Sequence, residues 1–248
     1  MSAFRAELTK MRTVRAVPSS LLATVAVGGA GAVVFGRALR GQTPFDPIFA
    51  SYYGLTLAQV ALVVFGVLVI GGEYATGTVR TALLAVPDRG RFHAAKVAAV
   101  TAVLAVVSLV TVVVAFVAGQ WALGPQGVGW GDPHTYRAAV GAWLYLVLIG
   151  LFAFGVATVV RTPGRALGLL VPLLLLGSQG LGNVPRVRTV TQFLPDAAGS
   201  FIMHMAGVPE DPFVPRAYGP WQGTGILALW ALAALLAGHL ALRHRDVR

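Results

Sequence analysis

Glu73 and Tyr74, followed at short intervals by Gly77, Thr78 and Arg80, open the stretch in which groups able to do chemistry crowd together. The stretch covers residues 71–96 and reads GGEYATGTVRTALLAVPDRGRFHAAK. It sets the carboxylate of Glu73 beside the cations Arg80, Arg89, Arg91 and Lys96, between two long apolar runs. Such groups support ion pairing, headgroup anchoring and contact with a partner. Bond-making needs other patterns. A phosphate-binding loop ends in Gly-Lys-Ser/Thr, but the two lysines, Lys10 and Lys96, follow Thr9 and Ala95. There is no Gly-x-Ser-x-Gly nucleophile elbow. His239 and His244 are five apart rather than the four that set two imidazoles on one helix face, and His134 and His204 fall in separate loops. Cysteine is absent, which excludes disulfides and thiolate metal sites. No catalytic residue, metal site or cofactor is expected, and any ATP hydrolysis must come from another chain.

The elements that position this stretch are apolar. Of 248 residues, 56% are hydrophobic and 11% charged, with a mean hydropathy of +0.75. Soluble domains carry about 25% charged residues, so the composition is that of a membrane protein. Six runs approach the length of about 20 residues that crosses a bilayer: 19–36, 54–72, 97–118, 138–160, 166–182 and 221–242. The fifth is short and contains Pro172, which a membrane bundle tolerates when neighbouring helices satisfy the freed carbonyl. The expected fold is therefore all-α, a single polytopic domain over residues 1–248 with six transmembrane helices.

A net charge of +10 could indicate nucleic acid, but its distribution points to topology. With the N-terminus inside, thirteen cations lie on the inner side: Arg5, Lys10, Arg12, Arg15, Arg80, Arg89, Arg91, Lys96, Arg161, Arg165, Arg243, Arg245 and Arg248. Six lie outside: Arg37, Arg40, Arg137, Arg186, Arg188 and Arg216. The positive-inside rule then predicts both termini in the cytoplasm of a multi-pass cell-membrane protein, with no nucleic acid as partner. A basic start followed by an apolar run ending near Ala30-Gly31-Ala32 resembles a signal peptide, but the run continues through Val33, Val34 and Phe35.

Residues 1–17 read as an interfacial helix. Phe4, Leu8 and Met11 share one face while Arg5 and Arg12 lie on the other. Pro18 suits the first turn of the first span, and Tyr52-Tyr53 suit an aromatic belt before the second. Pro163-Gly164 predict a tight turn between spans four and five. The outer loop 183–220 contains an apolar centre from Phe193 to Ala206, expected to form a short helix with Asp196 as its cap. No carboxylate is expected at mid-membrane. Ser108, Thr111, Ser178 and Gln179 are expected to bond to helix backbone, and His239 to sit at headgroup level.

Within the cytoplasmic loop 73–96, Gly71-Gly72 is expected to weaken the helix where span two leaves the lipid, and Thr78 to cap a new one. Val79, Ala82, Leu83 and Val86 fall at i, i+3, i+4 and i+7, one apolar face of a short helix. Pro87-Asp88-Arg89-Gly90 reads as the turn that ends it, and Arg91, His93 and Lys96 as anchors at the headgroups. The apolar face can fold back on the membrane or the protein's own helices, or dock in a groove of a soluble partner. Spacing alone leaves both open.

The island, with Glu73-Tyr74, Gly77-Thr78, the apolar helix ending at Pro87, the basic turn and Lys96, resembles the coupling region of permease subunits of ATP-binding cassette (ABC) transporters of the type-2 exporter family, especially actinobacterial members. The likeness extends to Glu7-Leu8-Thr9-Lys10-Met11-Arg12-Thr13, the six-span layout and the apolar outer segment before the last span. The resemblance implies a membrane subunit that pairs with a second permease copy, as homo- or heterodimer, and binds a cytoplasmic ABC ATPase subunit. It further implies that ATPase closure is passed through residues 78–86 to expel a substrate. Glu73, Tyr74, Gly77, Thr78, Arg80, Leu83 and Val86 are the residues it places in coupling, with Glu73 and Arg80 as polar contacts or, alternatively, span-end anchors. The rivals are an ion-coupled secondary transporter, which needs repeats, interrupted helices or buried ion ligands, and a non-transporting scaffold or immunity protein.

Overall fold

The computed structural model describes residues 3–42, 46–85, 88–175, 185–204 and 217–244, and among them every regular element is helical. A short N-terminal helix, α1 (Ala3–Thr13), precedes the first long one, α2 (Ala16–Leu39). Then come α3 (Pro47–Tyr52), α4 (Leu55–Thr76) and α5 (Thr78–Ala85), followed by the 35-residue α6 (Arg89–Leu123). The rest is α7 (Pro133–Val160), α8 (Pro163–Leu175), α9 (Pro185–Thr191), α10 (Pro195–Ser200) and α11 (Pro220–His244).

Among the described residues, five segments are long and apolar enough to cross a membrane: Ala16–Leu39, Pro47–Thr76, Arg89–Gln126, Pro133–Val160 and Pro220–His244. The chain is an all-α, multi-pass membrane protein. The fifth expected span is described as the 13-residue helix α8 with Pro172 inside it. At 1.5 Å per residue α8 rises about 20 Å, short of the roughly 30 Å hydrocarbon core, and residues 176–182 lie outside the described part.

α4 and α7 form the centre. They pack on each other, α7 on α11 and α4 on α2, while α6 covers α2 and meets α7. Close approach depends on small residues. A Cβ at Gly66 of α4 would come within 2.7 Å of the Gly150 carbonyl of α7, so the two backbones touch only because Gly66 has no side chain. The outer helices turn apolar side chains away from the protein, including Leu22 on α2, Leu109 on α6 and Leu229, Leu232 and Leu236 on α11. These faces match a lipid solvent.

Helix starts follow a local code. Asp46 accepts from the N–H groups of Ile48 and Phe49, Asp88 from Gly90 and Arg91, and Asp132 from His134. Two of these caps precede a proline at N1, where the lost N–H is immaterial.

Several expectations change in detail. Gly71-Gly72 does not weaken α4, which runs on to Thr76; a Cβ at Gly71 would meet Pro163 of α8 at 2.9 Å, so that glycine serves helix packing. Arg89 and Gly90 lie within α6 rather than in a turn, because Asp88 caps the helix before them. Arg161 and Thr162 connect α7 to α8, and Pro163-Gly164 already belong to α8. Tyr52 is buried in the bundle, not in a belt, since α3 folds inward against α6 and α2. Thr111 bonds to the Val107 carbonyl at 2.8 Å, whereas the buried Ser108 hydroxyl has no partner. Ser178 and Gln179 lie outside the described residues.

Asp196 departs furthest from expectation. It does not cap α10, whose N-cap is Leu194. Its side chain is 1% exposed and accepts a hydrogen bond from the Tyr145 hydroxyl of α7, which also lies 2.7 Å from Gln59 Oε1 of α4. A carboxylate therefore sits inside the bundle, because α10 folds back between α7 and α11.

Candidate coupling site

The island closes on itself through the ends of three helices. α4 terminates at Gly77, whose φ of +70° is a left-handed conformation that glycine adopts without a Cβ penalty. The chain reverses there and enters α5, which packs against the end of α4. α6, at about 52 Å by the 1.5 Å rise, is longer than a bilayer core, so its first turns carry Lys96 to the same end of the bundle as Glu73.

Glu73, Lys96, Glu7 and Lys10 meet there in a closed ring of alternating charge. Lys10 Nζ lies 2.9 Å from Glu7 Oε1 and 3.2 Å from Glu73 Oε1. Lys96 Nζ lies 2.9 Å from Glu73 Oε1 and donates a short hydrogen bond to Glu7 Oε2. Three helices are joined: α1 through Glu7 and Lys10, α4 through Glu73, α6 through Lys96. Lys96 is 0% exposed and Glu7 5%. Taking isolated charges out of water costs several kcal/mol each, and two ammoniums with two carboxylates answer that cost by neutralising one another. Burial alone would raise the Glu7 carboxyl, but Lys96 and Lys10 outweigh it and hold Glu7 below its ordinary value. Burial would likewise lower Lys10, yet its bond to Glu7 and the charge of Glu73 raise it.

Lys96 is therefore no headgroup anchor. The long-stem snorkelling expected at a span end gives way to a fully buried ion pair, because α1 covers the position. Of the other two expected anchors, Arg91 is exposed, while His93 is buried with its ring 5.6 Å from that of His239 on α11. Arg89 donates to the Leu242 carbonyl at 2.8 Å and Arg161 to that of Ala241 at 2.8 Å, so two guanidiniums satisfy the last carbonyls of α11.

The remaining expected site residues divide clearly. Tyr74 lies beneath the Arg161 guanidinium, 5.4 Å from its ring centre, with its hydroxyl buried and unbonded. Thr78 opens α5 but does not cap it: its hydroxyl turns back to Thr76 Oγ1 at 3.0 Å and the Glu73 carbonyl at 3.4 Å. Arg80 is exposed and outside the ring. Of the predicted apolar face of α5, Val79 is buried and Ala82 half-buried. Leu83 is described in its helical backbone alone, and Val86 lies outside the described residues. Leu84, absent from the expected face, is 82% exposed and shares one side of α5 with the exposed Arg80 and Thr81.

The site thus comprises a short helix with an exposed side, joined by one left-handed glycine to a span that is ion-paired to two other helices. Residues 3–176 match the family described as ABC-2 family transporter protein. The chain belongs to that family. It matches no curated protein with significance. The matched region holds α1, the charge ring and α5, so this ABC-2 protein carries its candidate coupling site wholly within the part that defines the family. It is a permease subunit of an ABC transporter, a family whose members work with an ATPase.

Glu7, Lys10 and Leu84 escape sequence reasoning. The i, i+3 spacing of Glu7 and Lys10 in a basic leader signals an intrahelical pair, but not that Glu73 and Lys96 complete it.

Proposed function

We propose that this permease exports its substrate across the cell membrane, driven by a separate cytoplasmic ATPase that docks on α5, and that it works beside a second permease copy. The observation that carries this reading is the exposed Arg80-Thr81-Leu84 side of α5, set one residue beyond the span that holds the ion-pair ring. The exposed apolar side chain of Leu84 on a two-turn helix offers an anchor for a partner's groove. Closure of the ATPases would push α5; Gly77 would pass the displacement to the end of α4; and the ring would draw α1 and α6 with it. Both termini then lie in the cytoplasm, in agreement with the surplus of cations on that side, and residues 183–220 lie outside. Leu83 belongs to the same docking helix, and the reading extends the docking segment to Val86 in sequence.

Copurification tests this reading. The cognate ATPase should remain bound to the wild-type permease and be lost on Leu84→Asp, with helicity and elution volume unchanged. Retention of the ATPase by Leu84→Asp together with Arg80→Glu would refute docking on this face. An ion-coupled mechanism finds one feature in its favour, the buried Asp196, but the family is that of an ABC transporter.

A further inference from the structure

Among the described residues, Arg161 is the one non-glycine with a positive φ, at +63°. It ends α7 in the left-handed position that helices ordinarily give to glycine. A Cβ makes that conformation costly, and such outliers persist where the surroundings over-determine them, most often at working sites. The contacts of the side chain supply the reason here. Its guanidinium carbon lies 5.4 Å from the ring centre of Tyr74 on α4, within cation–π range. Its Nη2 donates at 2.8 Å to the Ala241 carbonyl in the last turn of α11. The ends of α4, α7 and α11 therefore meet in one residue.

The last turns of α4 present two faces. At about 100° per residue, Gly71 and Tyr74 stand about 60° apart, whereas Glu73 is turned about 100° from Tyr74. The Gly71 face meets the connection after α7, since a Cβ there would lie 2.9 Å from Pro163. The Glu73 face meets Lys10 and Lys96. α11 packs chiefly on α7, so Tyr74, Arg161 and Ala241 form an arm from α4 to the end of α11. A second arm comes from α6, whose Arg89 donates to the Leu242 and Arg243 carbonyls. We propose that Arg161 is a positioning residue of the transport cycle, passing displacement of α4 to α7 and α11 while Glu73 passes it to α1 and α6. One helix end then drives both sides of the bundle. This inference rests on ATPase docking at α5. The Tyr74 ring carries the contact, because its hydroxyl is buried and unbonded.

Motion at two helix ends provides the test. The chain has no cysteine of its own, so a spin label can be placed on Leu240→Cys of α11 or on Arg12→Cys of α1, both exposed positions. The full-length labelled permease is bound to its ATPase, and the spectral change on adding ATP and vanadate is recorded. Both labels should respond when no further residue is changed. Arg161→Gly suits the left-handed backbone but removes the guanidinium. It should cut the α11 response about twofold, one of two arms being lost, and leave the α1 response intact. Tyr74→Leu should do the same, and the two together should do no more, because they break one step. Tyr74→Phe, which brings back the ring, should restore the response lost in Tyr74→Leu. Arg89→Ala added to Arg161→Gly should remove what remains at α11. A full α11 response in Arg161→Gly, equal loss at both labels, additive losses in the double variant, or no rescue by Tyr74→Phe would each overturn the role of Arg161. Silence at both labels before any of these changes would refute docking on α5 and this inference with it, whereas silence at α11 alone overturns only the inference.

Discussion

Two buried polar clusters occupy opposite ends of α4, and they are built differently. At one end Glu73 joins Glu7, Lys10 and Lys96 in a ring of full charges drawn from three helices. At the other, the Tyr145 hydroxyl bonds to the single carboxylate of Asp196 and lies beside Gln59, and α10 is held between α7 and α11. The ring links a peripheral helix to two spans, and Glu73 stands five residues before the start of α5. The Asp196 cluster fastens a short helix into the bundle. Ion pairs of full charge between separate helices hold those helices in register, whereas a phenol on one carboxylate fastens a single short helix. On the proposed reading, coupling belongs to the first end, and closure of the bundle to the second.

That contrast makes a ranked set of predictions. Lys96→Met should have the largest effect, because it leaves Glu7 and Glu73 buried with one remaining cation, a loss of about 3–5 kcal/mol. Thermal unfolding of the purified permease measures it, and adding Glu73→Gln should recover part of the loss. Tyr145→Phe removes one donor from Asp196 and should cost about 1–3 kcal/mol. If it destabilises more than Lys96→Met, the ranking of the two ends is reversed.

Gly77→Ala should cost less, about 1 kcal/mol, since the left-handed conformation alone opposes it and a Cβ there meets nothing within 4 Å. Transport per ATP hydrolysed should fall by more than stability does, because the joint between α4 and α5 is altered while the ring is not.

The gentlest perturbation is pH. Glu7 is depressed, so its stabilisation is present above the ordinary carboxylate value and lost as pH falls through the lower folded value. Lys10 is raised, so its stabilisation is present below the ordinary lysine value and lost as pH rises through the higher folded one. Protease protection of α1 should therefore be flat across neutral pH and decline at both extremes, the acid decline vanishing in Glu7→Gln.

Much of this architecture is legible in the sequence. Long apolar runs mark the spans, and Asp46-Pro47 and Asp132-Pro133 spell out two helix starts. The family itself is readable from the island and the segment around Glu7. The ring is not, because its members stand 63 and 89 positions apart and only the packing of α1 over α6 brings them together. Asp196 reads as a loop residue because nothing local announces that α10 folds inward. Leu84 escapes because the i, i+3, i+4 rule identifies a buried face of α5 but not the neighbour left for a partner.

The central claim, that α5 is where the ATPase acts, can be tested at a single position. The chain contains no cysteine, so Leu84→Cys provides a unique thiol. In membranes containing the ATPase, a short thiol-to-amine cross-linker at Leu84→Cys should capture the ATPase, and the yield should change with ATP. The same reaction at Leu22→Cys, on the apolar exposed face of α2, should capture none. Equal capture at both positions, or none at Leu84→Cys in a complex that still transports, would contradict the account.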